Sequence, residues 1–199
     1  MYKNIVYVGR NIISAKWDQI ICDGYECTKT AIKHLIELGH QQIAYIGETA
    51  NEIRYQGYIA SLKENGLEFA QNRVVNCRQN SVGGYQGAQQ LILSATSLPT
   101  AVFCANDTVA IGALKSFTEA KIKVPDQISI ISIDNIQMSG YVTPMLSTIE
   151  VPIAEMGTLA VSTLIGRLKK AHKLPIKIFL PCRLIQRDSV ANLNLGSYI

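Results

Sequence analysis

The sequence predicts an α/β protein built on a doubly wound, mostly parallel sheet, and three observations carry that reading. Short apolar, β-branched runs alternate with amphipathic stretches, the connections between them are short, and several runs are apolar without a break. The strand candidates are Ile5–Val8, Gln19–Cys22, Ile43–Ile46, Val74–Cys77, Ala101–Cys104, Ile128–Ile133, Thr148–Val151 and Ile176–Leu180. An uninterrupted run such as Ile130 to Ile133 suits a strand covered on both faces, as a parallel sheet requires.

The helices follow from a 3.6-residue period and its punctuation. Thr28 to Leu38 puts Ile32, Leu35 and Ile36 on one face and stops at Gly39. Tyr55 to Asn65 gathers Tyr55, Tyr58, Ile59 and Leu62 before Gly66. Gly84 to Ser94 carries Ala88, Leu91 and Ile92, and Asp107 to Ala120 carries Ala110, Ile111, Leu114 and Phe117. The last helix starts at Pro152, a favoured first helical residue, and runs to about Lys170 through Met156, Ala160, Leu164 and Leu168.

Composition narrows the functional classes. With 48% hydrophobic and 17% charged residues among 199, the chain can bury a substantial core and does not read as disordered. No apolar run approaches the roughly 18 residues that cross a bilayer, and the apolar start before Arg10 is too short for a signal peptide. The net charge of +4 is too mild and dispersed for a nucleic-acid surface. Its densest cluster, Arg167, Lys169, Lys170 and Lys173, reads as a solvated helix end where cations complement the dipole. Five cysteines without Cys-x-x-Cys spacing and three scattered histidines give no metal motif. A reducing cytoplasm, no metal and no cofactor are therefore expected. No phosphate-binding loop, dinucleotide fingerprint or nucleophile elbow is present, so the chain is read as a binder and not an enzyme.

In an open parallel sheet a ligand sits beyond the carboxyl ends of the strands. Asn106 and Asp107 follow one strand, Asp134 and Asn135 another, and Gly47 and Glu48 a third, with Arg54 delivered by the next loop. Carboxylate, carboxamide and guanidinium groups make paired hydrogen bonds, which suit vicinal hydroxyls or a purine edge. Plainer roles compete on position alone: Asn106 or Asp107 as a helix N-cap, with Asp107 preferred, Asp134-Asn135 as a turn, and Arg54 as a surface charge.

Five segments, AIKHLIELGHQQIAYIG (31–47), PTAVFCANDTVAIGAL (99–114), VPDQISIISIDNI (124–136), TPMLSTI (143–149) and RLIQRDSV (183–190), are spread over most of the chain. In order and spacing they resemble the signatures of the lactose, galactose and purine repressor family. The resemblance implies a two-lobed, periplasmic-binding-protein-like core with a small-molecule effector, a sugar, bound between the lobes. It places ligand-binding roles on Arg54, Asn106 and Asp134, and Gln79 where many members carry a stacking aromatic ring. Gly9 stands where a first-lobe polar residue is frequent. A homodimer interface is implied for the helix Asp107–Phe117, with Ile111, Leu114 and Lys115, and for the loop through Met138 and Tyr141. By the same mapping, 1–23 and 151–179 are a remnant of the first lobe, 24–150 and 180–190 a nearly complete second lobe, and 191–199 a C-terminal tail. Operator DNA would be reached only through a helix-turn-helix absent from this chain, and the partial first lobe is expected to expose apolar surface. A transport-type sugar-binding protein of the same fold is the alternative.

Overall fold

The computed structural model describes residues 4–13, 16–94 and 97–195, so residues 196–199 of the expected tail lie outside it. In chain order the elements are β1 (Val6–Gly9), β2 (Asp18–Ile21), α1 (Gly24–Glu37), β3 (Ile43–Gly47), α2 (Ile53–Glu64), β4 (Val74–Asn76), α3 (Ser81–Ser94), β5 (Ala101–Cys104), α4 (Asp107–Glu119), β6 (Ser129–Asp134), β7 (Ser147–Glu150), α5 (Ile153–Leu168), β8 (Lys177–Phe179) and β9 (Arg183–Ile185). They form two sheets, a three-stranded one ordered β1-β2-β8 and a six-stranded one ordered β4-β3-β5-β6-β7-β9. Every pairing is parallel except the one that sets β9 against β7. The class is the α/β, mostly parallel one that the sequence predicts.

The large sheet is covered on both faces, and its strands show why they read as continuous apolar runs. Tyr45, Phe103, Ile131 and Ile133 point to one face, where they meet Ala31, Ile32 and Leu35 of α1 and Tyr58 and Leu62 of α2. The alternate residues Ala44, Ile46, Val102, Cys104 and Ile130 meet Ala88 and Leu91 of α3 and Val109 to Phe117 of α4 on the other. The small sheet has α5 against β1 and β2, and Ile20 and Met156 join the core of the larger body. Apolar side chains remain exposed here, including Val161, Ile165 and Leu168 on α5 and Phe179 on β8.

Element ends depart from the sequence reading by a residue or more. Helix α1 begins at Gly24, because Asp23 accepts a hydrogen bond from the Tyr25 amide and opens a first turn that has no apolar stripe. Pro152 is the N-cap of α5 and not its first residue. Strand β9 went unnoticed in the sequence because it is three residues long and half-exposed.

Arg167 does not sit in solvent with its basic neighbours. Its guanidinium grips the wholly buried carboxylate of Asp18, which also takes hydrogen bonds from His172 at 3.0 Å and the Ile176 amide at 2.9 Å. Burial disfavours that charge, but the bonds from Arg167, His172 and Ile176 outweigh it and hold the carboxyl well below its usual range. This pairing fixes the C-terminal end of α5 to the head of β2.

Helices α3 and α4 approach closely because each presents a glycine to the other's backbone. A Cβ on Gly84 would run into the Val109 carbonyl, and one on Gly112 into that of Ser81. Gly112→Ala is expected to destabilise the fold by about 2 kcal/mol, since neither backbone can give way without shifting a helix. Urea unfolding checks this, and an unchanged midpoint would contradict the tight α3–α4 contact.

Candidate functional site

The site is assembled at the carboxyl ends of β3, β5 and β6, where the large sheet faces the small one. Helix α2 starts there with Glu52 as its N-cap, whose side chain accepts from the Arg54 amide at 3.2 Å. That start turns the second helical residue, Arg54, inward beneath Gly24, where an added Cβ would lie 3.3 Å from the arginine Cγ. The Arg54 side chain is 5% exposed and donates to Asp134 Oδ1 at 2.8 Å and to the Ala105 carbonyl at 2.5 Å. Its Nε is buried without a hydrogen-bond partner.

Asp134 ends β6 with φ 121°, and Asn135 follows at φ 51°. Two successive non-glycine residues with positive φ are strained, so the surroundings must hold them. They do: Arg54 pairs with Asp134, and Asn135 donates to Glu150 at 3.0 Å while accepting from Arg187 at 2.7 Å. The turn aims the Asp134 carboxylate, 29% exposed, at a cavity of about 260 Å³. Val8, Gly9, Arg10 and Cys22 line that cavity from the side of the small sheet, Cys27, Arg54 and Asp134 from that of the large one, and Ile153 and Met156 from α5.

Asn106 and Gln79 form a second polar pair, which does not line that cavity and joins the site through Glu52. Asn106 is the N-cap of α4, accepting from the Val109 amide at 2.8 Å, and its Nδ2 donates to Gln79 Oε1 at 3.4 Å. Gln79 in turn donates to Glu52 at 2.9 Å. The structure thus brings Arg54 to Asp134 and Gln79 to Asn106, and no aromatic ring occupies the Gln79 position. The preference for Asp107 as the cap is corrected, because Asp107 is the first residue inside the helix. Fully buried, it accepts from Ser132 at 2.5 Å, Thr148 at 2.6 Å and the Ile136 amide at 2.8 Å, fastening α4 across β6 and β7. Burial pushes its carboxyl upward, against the lowering effect of those three bonds.

Two contributors were missed in the sequence. Glu52 is 4% exposed and receives Arg10 at 2.8 Å as well as Gln79, so this one carboxylate joins the small sheet, α2 and the segment after β4. Arg10 follows β1, and reading the residue after each strand would have found it. Glu52 carries no comparable signal, since its partners lie 42 and 27 positions away.

The implied interface residues are not equally presented. Lys115, Met138 and Tyr141 are exposed and Ile111 is half-buried. Leu114, however, is 5% exposed and packs in the α3–α4 core, because its position on the helix faces the sheet.

Comparison with known proteins agrees with this architecture. Residues 32–190 match the family model described as periplasmic binding protein-like domain. The Bacillus subtilis (strain 168) protein named "Probable HTH-type transcriptional repressor ExuR" is 32% identical over 197 residues, covering 96% of this chain and 59% of that protein. The ribose operon repressor of Haemophilus influenzae is 35% identical over 167 residues, covering 82% and 50%. The chain thus spans between half and three-fifths of the length of these two relatives. Among solved structures, a LacI family transcriptional regulator from Enterococcus faecium with bound ribose superposes with a TM-score of 0.84 at 28% identity, over 94% of this chain and 70% of that one.

Proposed function

Since this chain belongs to the periplasmic binding protein-like domain family, in the form that LacI-type repressors carry, we propose that it is the effector-sensing core of such a repressor and takes a sugar between its two lobes. The observation that carries the reading is the buried Arg54, paired with Asp134 at the mouth of the cleft and left with an unpartnered Nε. A guanidinium can donate to one hydroxyl of a vicinal pair while the carboxylate beside it accepts from the other. Asn106 and Gln79 offer amides for a further hydroxyl. The relatives are repressors and not transport proteins, which favours the sensor over the transport-type alternative.

We take the lobes to be 1–23 with 151–179 and 24–150 with 180–190, a division that the separate three-stranded and six-stranded sheets support. The Arg10–Glu52 ion pair, 2.8 Å long, spans them. A sugar that binds one relative angle of the lobes better than another shifts the population towards that angle, by no more than its differential affinity. In the whole protein this shift would reach operator DNA through a segment outside this chain. A homodimer would form through the exposed side of α4 with Lys115 and Ile111, and through Met138 and Tyr141. Cytoplasmic location fits a regulator, and among the described residues no helix is long and apolar enough to cross a membrane.

A thermal-shift panel of ribose, hexoses, disaccharides, sugar phosphates and purines tests the proposal. A sugar at 100 times its dissociation constant adds about 2.7 kcal/mol, which for a chain of this size raises the transition by about 5–10 °C. A response to one sugar class supports the sensor. A response to purines alone, or to nothing in the panel, overturns the sugar-binding reading.

A further inference from the structure

One buried carboxylate stands behind the cleft without lining its cavity. Glu52 is 4% exposed, and the chain turns it inward at Asn51, which takes φ 53°. Its Oε1 accepts from the Arg54 amide at 3.2 Å and so opens α2. Its Oε2 takes two further donors, Arg10 Nη2 at 2.8 Å and Gln79 Nε2 at 2.9 Å. A sealed carboxylate has to be satisfied by such donors, and here they come from three separate parts of the chain.

Those parts belong to both sides of the cleft. Arg10 follows β1 of the small sheet, whereas Arg54 and Gln79 belong to the body built on the large one. The Arg10 backbone is tied to the head of α1, where the Gly24 amide donates to its carbonyl at 2.9 Å. Its side chain reaches on to the head of α2. Arg10 and Arg54 both line the cavity, and Gln79 passes the connection on to Asn106 at 3.4 Å. Apolar contacts also join the two bodies, through Ile20 and Met156, but such contacts are non-directional. An ion pair on a buried carboxylate fixes a distance and an angle.

We propose that Glu52 is a positioning residue, a clasp that ties the small sheet to the head of α2 and so sets Arg10 and Arg54 on opposite walls of the cavity. That the occupant is a sugar rests on the function proposed above, whereas the clasp follows from the geometry alone. Glu52 touches no ligand, and its effect on binding passes through the two arginines. Glu52→Gln separates its roles. The amide oxygen still accepts from the Arg54 amide and caps α2, but the NH2 then faces Arg10 and Gln79, which are themselves donors.

The experiment follows amide hydrogen exchange by NMR, without ligand, in the full chain, Glu52→Gln, Arg10→Met and the double variant. The reporters are the Gly24 amide, bonded to the Arg10 carbonyl, and the amides of residues 8–13. Either single variant should exchange there at least about tenfold faster than the parent, and the double variant no faster than the singles, because each removes the same contact. Parent-like exchange in Glu52→Gln, or additive effects in the double variant, overturns the clasp. The sugars of the thermal-shift panel, ribose first, then serve as probes of binding. Dissociation from Glu52→Gln should be about tenfold faster with association within about twofold of the parent, a split that mere loss of folded protein does not produce. Unchanged dissociation overturns the positioning role. A parent that binds none of these sugars overturns the sugar reading, and the exchange result then decides the clasp by itself.

Discussion

Arg54→Ala is expected to weaken sugar binding by at least about 100-fold, roughly 3 kcal/mol, because it removes the donor side of the site and leaves the Asp134 carboxylate without its partner. Arg54→Lys should recover little of that loss. An ammonium is a point charge and cannot serve Asp134 and the Ala105 carbonyl in one plane, as the guanidinium does. Isothermal titration of the sugar identified by the thermal-shift panel measures both variants, with circular dichroism to show that they remain folded. Affinity within threefold of the parent in the alanine variant would remove Arg54 from the site.

The second large effect is on stability. Asp107→Ala should destabilise the fold by about 3 kcal/mol, since the Ser132 and Thr148 hydroxyls and the Ile136 amide all lose a buried acceptor. Asp107→Asn should cost less, because it keeps one acceptor oxygen. The pH dependence separates the two explanations of the carboxylate. Burial raises the folded Asp107 carboxyl above its ordinary 3.8, so the folded state binds this proton before the unfolded state does. The stability that Asp107 contributes therefore grows as pH falls through the raised value towards 3.8. The advantage of the parent over Asp107→Asn, read from urea midpoints, should widen on acidification. A gap that narrows would mean that Asp107 is held as a favourable charge and not as a costly one.

Local pattern carried the sequence reading wherever the determinant is local. The strands of the large sheet are legible because residues such as Ala101 to Cys104 are buried on both faces and so must all be apolar. Helix stops at Gly39 and Gly66 are legible because both take positive φ. Reading beyond the end of each strand led to Asn106, Asp134 and Arg54, the arginine that Asp134 pairs with, and the resemblance gave all three a ligand-binding role. What escaped depends on distant partners. Asn106 rather than Asp107 caps α4 because Asp107 is drawn away by Ser132 and Thr148, 25 and 41 residues on. Arg167 looked solvated because Asp18, which draws it inward, lies 149 residues earlier. Leu114 looked available because its burial comes from the packing of α4 on the sheet and α3, which helical period alone does not reveal.

Sugar binding between the lobes is tested most directly by a crystal structure of the chain with the responding sugar bound. The sugar should lie in the cavity between the two sheets, with adjacent hydroxyls hydrogen-bonded to the Arg54 guanidinium and the Asp134 carboxylate and a further one to Asn106 or Gln79. A sugar seated elsewhere, with the Arg54–Asp134 pair untouched and the cleft empty, would contradict it.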